Sequence, residues 1–163
     1  MTSEYPRVGV GVIILNGKKV LLGLRKGNRS PGYYGLPGGY LENHENFEEC
    51  AKREVFEETG LMNVYLQPIC IISGSSESIH YADVIFYTSY KNGKPYVKEK
   101  DRVVAWEWFN IFDLPSPLYI PTELALKHFV SNYYYHKINY FFSKWFSGKR
   151  RTVLYVDSVN NKR

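Results

Sequence analysis

Between Gly39 and Leu61 the sequence reads GYLENHENFEECAKREVFEETGL, which concentrates glutamates and one arginine on and beside a single short helix. Asn46 is a residue type that caps helix N-termini, Glu49 three residues on can close a capping box, and Gly60 suits the left-handed residue that ends a helix. The spacing predicts a helix from about Phe47 to Thr59. On it Glu54, Glu57 and Glu58 stand at i, i+3 and i+4, so their carboxylates converge on one face. Further back, that face carries Phe47, Cys50 and Ala51, which would pack on a core while the acidic half opens into a site. Like charges at these spacings repel, and carboxylates near a helix C-terminus meet the negative end of its dipole. Two readings follow. A solvated acidic face would disperse the charge into water; a hard divalent cation would neutralise it and keep water positions that a phosphate can displace. Arg53 can reach Glu57 at i+4 and orient it. Leu36-Pro37-Gly38-Gly39 reads as a tight glycine turn whose backbone carbonyl could reach a metal, and this favours the second reading.

This stretch resembles the Nudix box: Gly, five residues, Glu, seven residues, Arg-Glu, an aliphatic residue, any residue, Glu-Glu, any residue, Gly, an aliphatic residue. Gly39, Glu45, Arg53-Glu54-Val55, Glu57-Glu58 and Gly60-Leu61 fill every specified position. The resemblance covers residues 5 to 135 and is nearest to the MutT-like nucleoside triphosphate pyrophosphohydrolases. It implies an α/β fold, an α/β/α sandwich around a mixed sheet, in a domain spanning 1–135. It also implies Mg²⁺ or Mn²⁺ held by Glu54, Glu57 and Glu58 with the Gly38 carbonyl, and a catalytic group of Glu58, Glu57 and Arg53. Some MutT-like enzymes supply one more glutamate as metal ligand or base, and Glu99 in Lys98-Glu99-Lys100-Asp101 is the nearest match; an exposed mixed-charge loop explains it equally well.

The remaining chain must position this cluster. Val8 to Leu15 and Lys19 to Leu24 read as strands around Asn16-Gly17, a strong hairpin signal. By resemblance Arg25, at the end of the second, clamps substrate phosphates; by composition it is a strand-end surface charge. The loop Asn28 to Gly35 borders the site, and Tyr34 within it could stack on a base or simply pack. Val64 to Ile72 and His80 to Tyr90 read as strands. His80 resembles a histidine common at this place in the family, a substrate contact beside the structural role usual for a strand histidine; the box residue Glu45 is taken as a further substrate contact. Ala105 to Asn110 reads as the last strand of the domain, with Trp106 and Trp108 on one face and one of them expected in the core. A terminal helix carrying Leu124, Leu126, Phe129, Val130 and Tyr133 follows, with Thr122 and Glu123 near the base.

Bulk properties bound the rest. The chain has 163 residues, 44% of them apolar and 17% aromatic, enough for one ordinary core. No stretch reads as a secretory leader or a membrane span, which points to a cytoplasmic protein. Cys50 and Cys70 form no metal or redox motif and read as buried thiols. The net charge of +5 is uneven: residues 1 to 121 hold thirteen basic against fourteen acidic side chains, and residues 122 to 163 hold eight against two. The extension at 136–163 carries Ile138, Phe141, Phe142, Trp145 and Phe146 at helical spacing, then Gly148-Lys149-Arg150-Arg151 and a strand-like segment from Thr152 to Asp157. Such a stripe needs a partner surface. Its own domain or a homodimer partner is favoured; RNA or an anionic membrane remains open through the basic, aromatic pattern.

The implied mechanism follows from charge. A nucleoside triphosphate repels a nucleophile until cations neutralise its oxygens and acidify a water, after which one of the glutamates, or Glu99, takes the proton. Attack on a bridging phosphate gives nucleoside monophosphate and pyrophosphate. Some subfamilies of the family carry a proline or tyrosine about fifteen to seventeen residues beyond the box, and Ser75-Ser76-Glu77-Ser78 has neither. That ranks canonical or oxidised triphosphates ahead of ADP-ribose and other nucleoside diphosphate sugars. A binding module without turnover is the alternative of a different class, disfavoured by the intact glutamates.

Overall fold

The computed structural model describes residues 5–28, 30–75, 80–91, 93–134 and 154–157. The Asn16-Gly17 turn makes the expected hairpin: β1 (Arg7–Asn16) and β2 (Lys19–Arg25) pair antiparallel with Leu15 opposite Val20, and Gly17 takes φ of +62°. Past the turn the two strands find different neighbours. β2 pairs antiparallel with β3 (Tyr34–Gly35) and β6 (Val103–Asn110), while β1 pairs in parallel with β5 (His80–Ser89). On its other side β5 takes β4 (Gln67–Ser75) antiparallel, and β4 takes β7 (Leu154–Asp157) in parallel. The result is a mixed seven-stranded sheet in the order β3-β2-β1-β5-β4-β7, with β6 on β2.

Strand alternation decides which helix covers which face. Val10, Val12 and Ile14 of β1 point to one side, where α1 (Phe47–Thr59) lays down Cys50, Ala51 and Val55. Ile13 and Leu15 point to the other, where α2 (Ile120–His128) and a π-helical turn (Phe129–Tyr134) bring Ala125, Leu126 and Phe129. Each large apolar side chain taken out of water here contributes about 1.5–3 kcal/mol. The α/β/α expectation therefore holds, and the terminal helix lies where its apolar residues were read, with a π-helical rather than α-helical end. Trp106 and Trp108 share a face, and both pack partly buried against the α1-side core.

Two boundaries differ from the sequence reading. The strand expected from Val64 begins at Gln67, because Val64 and Leu66 are drawn into the α1-side core as the chain leaves the helix. Leu36 to Gly39 is not a tight turn. It runs alongside β1, with Val12 N donating to Pro37 O at 2.9 Å and Val10 N to Gly39 O at 2.8 Å, so β1 carries β5 on one edge and this glycine run on the other. Cys50 and Cys70 are buried free thiols, pushed up to about 12 by burial. The aromatic helix read at 138–146 and the basic run at 149–151 lie outside the described residues; of the strand-like segment, Leu154–Asp157 forms β7. Among the described residues no helix is long and apolar enough to cross a membrane.

Candidate active site

Helix α1 starts and stops where its caps dictate. Asn46 accepts from Glu48 N at 2.9 Å and Glu49 N at 3.0 Å, Glu49 reaches back to Asn46 N at 2.8 Å, and Gly60 closes the helix at φ of +72°. Fixed ends set the rotation of the acidic face, and Arg53 organises it. Its guanidinium donates to both oxygens of Glu45 (2.7 and 3.0 Å), to Glu54 Oε1 (2.7 Å), to Glu57 Oε2 (3.2 Å) and to the Tyr40 carbonyl (3.1 Å). The i+4 contact with Glu57 was foreseen; the clamp on Glu45 and Glu54 was not. Glu45 is held down to about 2 by that guanidinium and also accepts from Glu42 N at 2.7 Å. The structure places it as a partner of Arg53, outside the cleft lining.

A cleft of about 560 Å³ opens beside this clamp. Glu54 and Glu58 line it, together with Gly38, Gly39, Arg25, Asp83, Tyr119 and Thr122. Glu58 is buried, accepts from Gly38 N at 3.0 Å, and is pushed up to about 8, chiefly by loss of water and then by the charges of Glu54 and Glu99. Burial also raises Glu54, outweighing the guanidinium at 2.7 Å. Gly39 lets the loop approach this closely: a Cβ there would lie 2.2 Å from Glu54 Oε1. Glu57 differs, since its side chain is 45% exposed and bonded to Arg53 away from the lining.

Glu99 reaches the cluster because the C-terminus of α1 recruits its loop. The last helical carbonyls have no intrahelical partner; Thr59 O takes Tyr96 N at 3.0 Å, and Glu58 O takes Trp106 Nε1 at 2.9 Å and Lys98 N at 3.4 Å. That brings the Glu99 charge within range of both Glu54 and Glu58. Glu99 Oε2 is buried 3.3 Å from Arg102 Nη1, an ion-pair distance without hydrogen-bond geometry, and it is left without a hydrogen bond.

Buried carboxylates with raised proton affinity and one oxygen lacking a donor are the donor set a hard cation takes. Among the described residues, no three acidic side chains already stand as a compact ligand cage; Arg53 draws Glu57 and one oxygen of Glu54 to itself. The residues fit a divalent cation in chemistry, with Arg53 competing for two of them.

The other expected contacts divide. Arg25 lies in the cleft wall, its guanidinium 4.5 Å from the centre of the Tyr119 ring, and its charge favours the ionised form of Glu58. Thr122 lines the cleft and accepts from Leu36 N at 3.1 Å, whereas Glu123 pairs with Lys127 at 2.6 Å. Tyr34 does not face the cleft: its ring meets Phe109 edge-on at 5.1 Å, against the core under α2. His80 is exposed at the start of β5 and is not in the lining. Strand register thus sends the Tyr34 side chain into packing and the His80 side chain to solvent, outside the cleft lining. Asp83 was missed. The available signal was an acid on the inward side of β5, between Tyr81 and Ile85, in an otherwise apolar alternation.

The family model for the NUDIX domain matches residues 5–133. An ADP-ribose pyrophosphatase of Methanocaldococcus jannaschii is 33% identical over 114 residues, 69% of this chain and 66% of that protein. The NAD-capped RNA hydrolase NudC of Stutzerimonas stutzeri is 30% identical over 134 residues, 81% of this chain and 46% of that protein. The chain thus spans between about half and two thirds of these curated relatives. A solved MutT NUDIX hydrolase from Burkholderia pseudomallei superposes with a TM-score of 0.69 at 35% identity, covering 76% of this chain and 98% of that one.

Proposed function

Because this chain belongs to the NUDIX family, we propose that it is a metal-dependent pyrophosphohydrolase that cleaves a nucleoside triphosphate, canonical or oxidised, to nucleoside monophosphate and pyrophosphate. The observation that carries the reading is the pair of buried carboxylates, Glu54 and Glu58, facing a cleft that Arg25 also lines. Mg²⁺ or Mn²⁺ would be held by Glu54, Glu58 and Glu99, with Glu57 and the Gly38 carbonyl completing the set. When bound, the cation supplies neutralisation of the phosphate oxygens and Lewis acidity.

The chain's own groups do the rest. Arg25 binds the phosphates and orients them towards the glutamates. Glu58 can act as base only when ionised, a form that Gly38 N–H and the Arg25 charge favour and that a cation beside it would favour further; Gly38 N–H then fixes one oxygen, leaving the other to take a proton from the attacking water as its oxygen bonds to phosphorus. The P–O bond between the attacked phosphorus and the bridging oxygen breaks, and its electron pair leaves on that oxygen with the departing phosphate group. Arg53 touches no substrate; it positions Glu54 and Glu57 by holding one oxygen of each.

The 33% identity to an ADP-ribose pyrophosphatase supports a second reading, in which the same groups cleave the diphosphate of ADP-ribose. A panel of dNTPs, NTPs, oxidised dGTP, ADP-ribose and diadenosine polyphosphates, incubated with Mg²⁺ and read by product identity, separates the two. Monophosphate plus pyrophosphate from a triphosphate is the expected result. Cleavage of ADP-ribose alone overturns the substrate assignment but keeps the metal chemistry, and binding without turnover of anything overturns the enzyme. A cytoplasmic location and a homodimer formed through the 136–163 extension belong to the same proposal.

A further inference from the structure

The cleft has a second end that the metal chemistry does not use. Gly11, Asp83 and Ile85 lie on the sheet face that α2 covers, opposite the face on which α1 packs, and Leu36 and Pro121 wall this end. Most of that surface is apolar or bare backbone. Asp83 is the exception. Its strand partner in β1 is Gly9, and the carboxylate lies across this bare position: a Cβ at Gly9 would meet Asp83 Oδ1 at 2.8 Å and Gly39 O at 2.6 Å. Gly39 is also where the chain passes Glu54, so Asp83 sits one glycine away from the reacting end.

Among the described residues no hydrogen bond or ion pair holds the Asp83 carboxylate. A half-buried carboxyl that lines a cleft with no protein partner is a candidate for a role outside folding.

We infer that Asp83 determines base specificity, accepting two hydrogen bonds from a purine edge that offers adjacent ring N–H and exocyclic NH₂ groups, as a guanine nucleotide does. An ionised carboxylate is acceptor-only and matches two parallel donors. The corresponding edge of adenine offers one donor beside a ring-nitrogen lone pair, which faces the second oxygen with no proton between them. The inference rests on the proposed triphosphate reading and sharpens it, setting guanine nucleotides against the adenine of ADP-ribose. Burial pushes Asp83 up to about 6, which leaves it mainly ionised at neutral pH.

The test compares the full chain with Asp83→Asn and Asp83→Ala. Two quantities are read: kcat/KM for GTP and ATP with Mg²⁺, and calorimetric binding of GMP and AMP, which needs no turnover. The wild type should favour GTP over ATP about tenfold or more, since a site built for paired donors leaves a buried group unmatched by the wrong base. Asn offers one acceptor and one donor, the pairing that suits adenine, so Asp83→Asn should bring the ratio to one or below, with the change in KM. Asp83→Ala should flatten the preference without inverting it. GMP and AMP binding should follow the same order. A GTP:ATP ratio and a GMP:AMP ratio both unchanged in Asp83→Asn overturn the role of Asp83 while leaving the triphosphatase reading intact. Absence of triphosphate turnover, with GMP still preferred through Asp83, overturns that reading and leaves the base assignment standing. Tighter AMP than GMP binding by the wild type overturns the base assignment whatever is hydrolysed.

Discussion

Glu58 and Asp83 carry the residue-scale chemistry, and both are acids that burial holds against ionisation. In Glu58→Gln the Gly38 N–H contact can persist through the amide oxygen, but the proton acceptor is gone. Turnover with saturating Mg²⁺ should fall about a thousandfold or more while far-UV circular dichroism is unchanged; a rate within tenfold of wild type would refute the assignment. For Asp83 the sign is set by linkage. Folded, it keeps its proton up to about pH 6, against 3.8 for the usual carboxyl, so its contribution to stability is full below the lower value and is lost as pH rises through the upper one. Over that window it should cost the fold up to about 3 kcal/mol. Asp83→Asn has no proton to lose. In urea titrations its advantage over wild type should be absent near pH 3.5, grow between about 4 and 6, and hold constant above 7; a difference that does not vary with pH would contradict the burial of this group.

At the scale of elements, the site depends on how α1 ends. Gly60 takes φ of +72°, and its amide bonds Phe56 O at 2.9 Å, after which the loop through Tyr96 to Glu99 closes on the last helical carbonyls. A Cβ at Gly60 would lie 2.1 Å from Tyr96 Cε1. Gly60→Ala therefore carries a left-handed penalty of about 1 kcal/mol and also displaces the ring that leads into the Glu99 loop. The expected loss is on the order of 1–3 kcal/mol in thermal or urea unfolding, together with a higher Mg²⁺ concentration for half-maximal activity. Unchanged metal dependence in a destabilised variant would separate Glu99 from the metal set.

At the scale of the whole molecule, the sheet gathers groups from distant parts of the domain sequence, and the proposed cation would complete them. Binding of a ligand to the folded state alone raises stability by mass action, so Mg²⁺ should raise the melting temperature of the wild type and EDTA should reverse it. In Glu54→Gln/Glu58→Gln the increment should shrink. β7 lies along the outer side of β4, and stopping the chain after Tyr135 would bare that edge. Gel filtration of the full and shortened chains tests the homodimer: the full chain should elute as a dimer and the shortened one as a monomer, and elution in one class would exclude the extension from assembly.

Local physics made α1 legible from sequence alone. Its caps, length and acidic face depend on contacts three or four residues apart, and the capping box, the Gly60 stop and the Arg53–Glu57 pair all follow from that spacing. The Asn16-Gly17 hairpin is legible for the same reason. Tertiary structure decided what depends on pairing between distant strands. The run of Pro37 to Gly39 along β1, the capture of the Glu99 loop by Thr59 and Glu58 carbonyls, and the turning of Tyr34 into the core each involve partners 25 to 75 residues apart. No local period encodes them. Asp83 shows the boundary most plainly: its inward side of β5 could be read from alternation, but that this side opens into the cleft, beside Gly9 and Gly39, follows only from the parallel register of β5 on β1 and the glycine run on β1's other edge.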